Sequence, residues 1–304
     1  MKVLITGAGG QVGHDLRLCL TGEVPAGGAA TALFGAEAVT SGEFDVVPVD
    51  RAALDVSDAA GVDRAMAELR PDVVVHLAAY TAVDRAETDA AQALLINEVG
   101  TQNVSRAASE VGAHLIYVST DYVFAGDLGR SLDETDVTGP LSTYGSTKLA
   151  GEERCAPGSS IVRTSWVAGA SKPNVLHLAA RAAASGQELA FVEDQVGSLT
   201  AAADLAAALV FFIRNRPAGI VHVAGSGEAS WYEVIAHAVA AAGGSRDQVR
   251  PISTAALDPQ PLATRPAYSP LISARHGELG SQPLPEWQDG ADRLIAALAT
   301  RGTT

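Results

Sequence analysis

Tyr144 and Lys148 lie four positions apart in Tyr144-Gly145-Ser146-Thr147-Lys148, a spacing that puts both on one face of a helix. A phenol beside an ammonium is a tunable proton donor, because a neighbouring cation favours the phenolate and lowers a pKa that is otherwise about 10. Most such pairs are surface decoration, and two further blocks give this one its weight. Ser119-Thr120-Asp121 supplies a second hydroxyl upstream, and the chain opens with Thr6-Gly7-Ala8-Gly9-Gly10-Gln11-Val12-Gly13, a turn that lets backbone approach a diphosphate. In this order the blocks describe hydride transfer. Tyr144 gives its proton to a carbonyl oxygen, Lys148 tunes the phenol and supplies donors to a nicotinamide ribose, and Thr120 hydrogen-bonds the same oxygen. The plain reading of Thr120 is a cap at the end of a strand.

These groups need a scaffold that brings distant segments together. Short runs rich in β-formers recur at Lys2–Thr6, Phe44–Val49, Asp72–Leu77, His114–Ser119, Ile161–Arg163 and Ile220–Val223. They are nearly continuous in apolar residues, as strands covered on both faces must be. Between them Asp58–Arg70, Ala90–Val111 and Ala201–Arg214 show helical spacing. The pattern predicts an α/β fold, a Rossmann-type doubly wound parallel sheet with a smaller C-terminal substrate-binding domain. Residues 1–162 with 201–224 form the nucleotide-binding part in this reading, and residues 163–200 with 225–304 the substrate part. Trp231–Ala242 and Leu284–Leu298 read as helices of the latter, and Thr21–Gly42 as a surface insertion.

At the cofactor end, Gly7 allows a tight turn, Gly10 close approach to the pyrophosphate and Gly13 helix packing against the strand, with Gly9, Gln11 and Val12 completing the lining. Asp50 ends the second strand, where an acid binds the adenosine ribose and favours NADH; Arg51 follows and suits the 2′-phosphate of NADPH, so both cofactors stay open. Asp55 and Val56 would face the adenine, or Asp55 caps the next helix. Ala78, Ala79 and Tyr80 close the third strand with small residues beside the cofactor. Asn97 lies within a predicted helix, either buried against a backbone carbonyl or relay water, or exposed. Trp166 follows the strand Ile161–Arg163 at the crevice, to stack on a sugar or base or to sit in the core.

Composition excludes several other classes. The 304 residues are 47% apolar, and 21 Lys and Arg against 35 Asp and Glu give a net charge of −14 without a basic run, which argues against nucleic acid. Cys19 and Cys155 show no metal or disulfide spacing, and the histidines are scattered. With no leader pattern and no long apolar run, the expectation is a cytoplasmic protein without a membrane partner.

The chain is similar to the extended short-chain dehydrogenases/reductases from Val3 to about Leu298. The resemblance rests on Gly9–Gly13, Ala79–Glu87, Ser119–Phe124, Tyr144–Glu152, Arg163–Val167, Asp194–Gly197, Arg265-Pro266 and Leu284–Trp287. The Thr81–Glu87 and Ser119–Phe124 blocks belong to the branch acting on a dTDP-linked ketosugar. By that resemblance Thr120, Tyr144 and Lys148 are the catalytic set, and Thr120, Asp121 and Trp166 contact the dTDP-sugar. The implied reaction is NADPH- or NADH-dependent reduction of the C4 ketone of dTDP-4-dehydro-L-rhamnose to dTDP-L-rhamnose. Leu199 departs from the proline usual there. Some members hold Mg²⁺ at a contact between two copies, which would imply a homodimer; Asp15 matches one ligand position, and no metal is assigned.

Three rivals share parts of the pattern. A dehydratase needs a second carboxylate after Thr120-Asp121, where this chain has Tyr122. An epimerase would keep its cofactor through the cycle. A non-catalytic regulatory subunit would not need the proton donor, and a reductase of another dTDP-4-ketodeoxysugar would use the same residues.

Overall fold

The computed structural model describes residues 1–28, 34–35 and 38–301. Six parallel strands, Lys2–Thr6, Asp45–Val49, Val73–His76, His114–Thr120, Ser160–Thr164 and Gly219–His222, form the central sheet. By chain order they lie sixth, fifth, fourth, third, first, second. The near-continuous apolar runs are explained by two covered faces. Val3 and Ile5 join Leu16, Leu20 and the helix Ala202–Asn215 on one face, while Leu4 joins Val62, Met66 and Val104 on the other. Both faces are thus dry, as a doubly wound sheet requires. The second strand is the exception: it is an edge strand, partly exposed, and carries Pro48 opposite Ile5, where a missing N–H costs no ladder bond.

The chain leaves the first strand toward one edge and returns to lay the third strand on its other side. The carboxyl ends of the first and third strands therefore part at a switch point, where such sheets bind ligands. Gly7 and Ala78 stand there. A second cluster, built from the helices Val175–Ser185, Trp231–Ala241 and Trp287–Arg301, contains Leu176, Val234, Ile235 and Leu294. It stands against the carboxyl edge through Gln11, whose Oε1 accepts from Gly169 N at 2.8 Å and Asn174 Nδ2 at 2.9 Å.

Three expectations need correction. The predicted helix Ala90–Val111 is broken into Ala90–Leu94, a π-helical turn Leu95–Gly100 and Thr101–Glu110. The wider turn coincides with a buried Asn97 and with Gly100, where a Cβ would come within 2.7 Å of Val56 Cγ2. The closing helix starts at Trp287 rather than Leu284, because the backbone before it pairs with Ser226: Ser226 N donates to Pro285 O and Trp287 N to Ser226 O, both at 2.9 Å. The insertion Thr21–Gly42 is not merely superficial. Residues 29–33 and 36–37 lie outside the described residues, but Phe34 is buried, with ring centroids 5.5 Å from Phe211 and 5.7 Å from Phe212. Among the described residues no helix is long and apolar enough to cross a membrane.

Phe34 therefore anchors the insertion to the sheet's main core. Replacing Phe34 by Ala should destabilise the protein by about 3–5 kcal/mol, the usual cost of an emptied aromatic site. Urea unfolding measures this, and a change under about 1 kcal/mol would return the insertion to the surface.

Candidate active site

The glycine turn is a cradle by exclusion. Gly7 has φ +69°, and a Cβ there would lie 2.6 Å from Ala78 N; a Cβ on Gly13 would lie 2.7 Å from Ala8 Cα and Gly7 O. Gly10 N-caps the helix Gln11–Leu20 with no side-chain cap and no acid in the first turn. The free N–H groups and the helix dipole make that end fit for a diphosphate. Gly9 completes the turn beside Asp50, with a Cβ at Gly9 4.0 Å from Asp50 Cβ. Val12 packs against the sheet core and Gln11 bridges to the second cluster, so their side chains are structural while their backbone lies at the helix start.

Asp50 stays exposed beside the turn, its Oδ1 accepting from Ala52 N at 3.0 Å and Ala53 N at 3.1 Å. Arg51 is held only loosely, Nε standing 3.6 Å from Asp55 Oδ2. Asp55 accepts from Ser57 N at 3.0 Å and Ser57 Oγ at 2.6 Å, which closes the turn before the helix and keeps its carboxyl below the usual range. It does not cap that helix, whose N-cap position is Asp58. The Val56 side chain is buried in the core rather than open to a ligand. Ala78, Ala79 and Tyr80 are half-buried along the crevice. Tyr80 is fixed by Asn97, whose Oδ1 accepts from Tyr80 N at 2.8 Å and whose Nδ2 donates to Tyr80 O at 3.2 Å and Thr147 Oγ1 at 3.0 Å. Asn97 is thus the buried amide of the two readings. Its bonds pin the third strand's end to the catalytic helix.

That helix is Thr143–Glu153, capped by Ser142, whose Oγ accepts from Gly145 N. It presses closely on its neighbours: a Cβ on Gly151 would collide with Asn97 O and the Tyr117 hydroxyl. Lys148 is buried, its Nζ donating to Val118 O at 2.8 Å and lying 4.0 Å above the Tyr117 ring. Burial lowers its pKa to about 7, with Glu152 opposing. Glu152 is itself clamped by Arg163, at 2.9 Å from Nε and 2.7 Å from Nη2. Burial likewise pushes Tyr144 up to about 12, opposed by the Thr120 hydroxyl. This corrects the expectation that Lys148 acidifies the phenol in the chain alone: desolvation dominates, and Lys148 is committed to Val118 and Tyr117.

Thr120 does both of the things expected of it. Its Oγ1 accepts from Tyr122 N at 3.2 Å, capping the turn Asp121–Val123, and it stands beside Tyr144. Its proton, however, goes to Asp121 Oδ1 at 3.1 Å. Asp121 is 1% exposed, burial raises its pKa to about 6, and its Oδ2 accepts from Ser269 Oγ at 2.7 Å. Expected to touch the substrate, it is instead sealed beneath Thr120. Trp166 stacks at 3.8 Å on Trp231, and it is Trp231 that lines the neighbouring cavity of about 720 Å³. Tyr122, Gln195, Phe191, Asp84 and Arg265 line the same cavity, and Tyr122 meets Tyr144 edge to face at 5.4 Å. Arg265 pairs with Asp84 at 2.6 Å and reaches Tyr122. Sequence reasoning gave no role to Trp231 or Ser269; an aromatic opening a helix and a serine in a proline-rich stretch carry no periodic signal. Asp15 pairs with His14 at 3.1 Å, and no cluster able to hold a metal occurs among the described residues.

The Lys148 shift gives a pH signature. Its folded pKa lies below the free value of 10.5, so between about pH 7 and 10.5 the unfolded chain binds the extra proton and stability rises with pH. Below about 7 the full penalty of a buried cation is present. The unfolding free energy of the cofactor-free protein relative to Lys148→Met should climb from pH 7 to 9.5; a flat difference would place the ammonium in solvent.

Comparison with known proteins agrees with this geometry. The family model described as RmlD substrate binding domain matches residues 1–300. The chain is 37% identical to dTDP-4-dehydrorhamnose reductase of Escherichia coli K12, covering 99% of both chains. It is also 37% identical to the Streptomyces griseus enzyme of that name, covering 98% of this chain and 94% of the relative. A crystal structure of dTDP-4-dehydrorhamnose reductase from Bacillus anthracis in complex with NADP superposes with a TM-score of 0.86 at 34% identity, over 97% of this chain and 98% of that one. With a glycine cradle at the switch point and Thr120, Tyr144 and Lys148 at its mouth, the chain belongs to the dTDP-4-dehydrorhamnose reductase family.

Proposed function

We propose that this chain reduces the C4 ketone of dTDP-4-dehydro-L-rhamnose to dTDP-L-rhamnose, with NADPH or NADH as reductant and Tyr144 as proton donor. The observation that carries the reading is the convergence of Thr120, Tyr144 and buried Lys148 beside a glycine cradle that any Cβ would fill. Gly7, Gly10 and Gly13 with the uncapped helix would hold the diphosphate, and Asp50 and Arg51 the adenosine ribose. The nicotinamide supplies the hydride. Residues 163–200 with 225–304 form the part that takes the sugar nucleotide, in the cavity of Trp231, Gln195 and Arg265.

Burial serves the direction of reduction. A phenol held at about 12 is fully protonated at neutral pH and has a proton to give when negative charge develops on the ketone oxygen. Lys148 sits four residues along the same helix, and its charge compensates the phenolate once formed. Thr120 aligns the reacting oxygen against Tyr144. The thiols of Cys19 and Cys155, both free and pushed up to about 12 by burial, suit a reducing cytoplasm.

Supplying dTDP-glucose to the upstream dehydratase and epimerase, then adding this protein with either reductant, tests the reading by the sugar formed. Formation of dTDP-L-rhamnose is expected; a different C4 epimer would assign another ketodeoxysugar, and no oxidation of either cofactor would leave a binding subunit. Tyr144→Phe should lower turnover by about 10²–10⁴-fold with cofactor affinity nearly unchanged, the usual size of a lost general acid. Because Arg51 is loosely paired and adjoins Asp50, Arg51→Ala should weaken NADPH about tenfold and leave NADH within about twofold. Equal losses in fluorescence titrations would remove Arg51 from the 2′-phosphate.

A further inference from the structure

We propose that Ser269 is a positioning residue for catalysis, holding the hydroxyl of Thr120 in place through the buried carboxylate of Asp121. The inference rests on the reductase reading above. Three polar groups form a line with nothing else to hold them: Ser269 Oγ donates to Asp121 Oδ2 at 2.7 Å, and Thr120 Oγ1 donates to Asp121 Oδ1 at 3.1 Å. All three are buried, at 2%, 1% and 6% exposure, so water does not replace a lost partner.

A threonine hydroxyl carries one proton and turns about a single bond, so its direction is set by what its oxygen contacts. Tyr122 N takes one lone pair at 3.2 Å, and Asp121 fixes the hydrogen. The oxygen beside Tyr144 is left with one orientation. The tie to Asp121 persists whichever partner carries the proton: ionised, the carboxylate accepts from Thr120; protonated, it donates to Thr120 and frees that hydroxyl to donate to the ketone oxygen.

Ser269 is suited to this because its own backbone is locked. Ser269 N donates to Val196 O at 2.8 Å, Val196 N to Ala267 O at 2.9 Å, and Tyr268 N to Gly126 O at 3.0 Å. Gly126, just after the catalytic turn, has φ +70° and admits Pro266 where a Cβ would clash at 2.6 Å. The segment 266–269 is therefore sewn between the strand at Val196 and the loop after Thr120. Its neighbour Arg265 lines the sugar-nucleotide cavity. The serine thus links the wall of that cavity to the catalytic threonine.

The test is a double-mutant cycle on the whole protein, reading kcat and KM for the ketosugar nucleotide and the dissociation constant of NADPH by fluorescence. Ser269→Ala should lower kcat about ten- to a hundredfold, the effect of one lost hydrogen bond to a charged group, with NADPH affinity unchanged. Ser269→Thr should restore most of it. On an Asp121→Asn background, adding Ser269→Ala should cost less than about twofold, because the residue acts through the carboxylate. Ser269→Cys, a weaker donor of similar size, serves the same cycle should the alanine variant not fold. Wild-type kcat in the single variants, or equal losses with and without Asp121, would overturn the proposal. Absence of ketosugar reduction by the unmodified protein would instead overturn the functional reading beneath it.

Discussion

Backbone must approach backbone at three places for this site to exist, and glycine makes each approach. Gly7 admits the end of the third strand, Gly13 lets the first helix close on the turn, and Gly151 lets the catalytic helix settle onto Asn97 and Tyr117. A methyl group at any of them would drive apart elements that carry the chemistry. The π-helical turn at Leu95–Gly100 belongs to the same constraint, since it turns Asn97 inward to hold both Tyr80 and Thr147. Cofactor cradle and proton donor are thereby parts of one packed contact.

Once packed, the site is governed by desolvation more than by pairwise charge. Burial moves Tyr144 up, Asp121 up and Lys148 down, each toward its neutral form. The same effect keeps His76 neutral at a pKa of about 3, so that it can bridge Thr6 at 2.7 Å and Thr101 at 3.2 Å beneath the switch point. Against this background the clamped Glu152–Arg163 pair matters because it places a fixed carboxylate one turn beyond Lys148. A cation bound in front of these groups would meet a phenol already protonated and poised to lose charge to it.

Two pieces of chain converge on the mouth of the sheet, and polar contacts register them. Gln11 reaches Gly169 and Asn174, Asp84 pairs with Arg265, and Asp204 pairs with Arg293 at 2.5 Å. Each joins the nucleotide-binding part to residues beyond the fifth strand. The cavity floor at Tyr122 and its wall at Trp231 and Arg265 are held in place by these ties.

The amino-acid order alone determined the parallel doubly wound sheet, because strands covered on both faces must be apolar throughout, as Val3–Ile5 and Val73–Val75 are. It also determined the glycine turn and the Tyr144/Lys148 pair, since both depend on local spacing within one element. What the order could not show was anything set by contacts across the chain. Asp121 and Trp166 look like ligand contacts in sequence, and only packing reveals one sealed under Thr120 and the other stacked on Trp231. Phe34 reads as part of a loop until its ring is seen between Phe211 and Phe212. The protonation of Tyr144 and Lys148 was decided by tertiary structure for the same reason: the cost of removing a charge from water depends on what covers it, and the cover comes from residues far away in the chain.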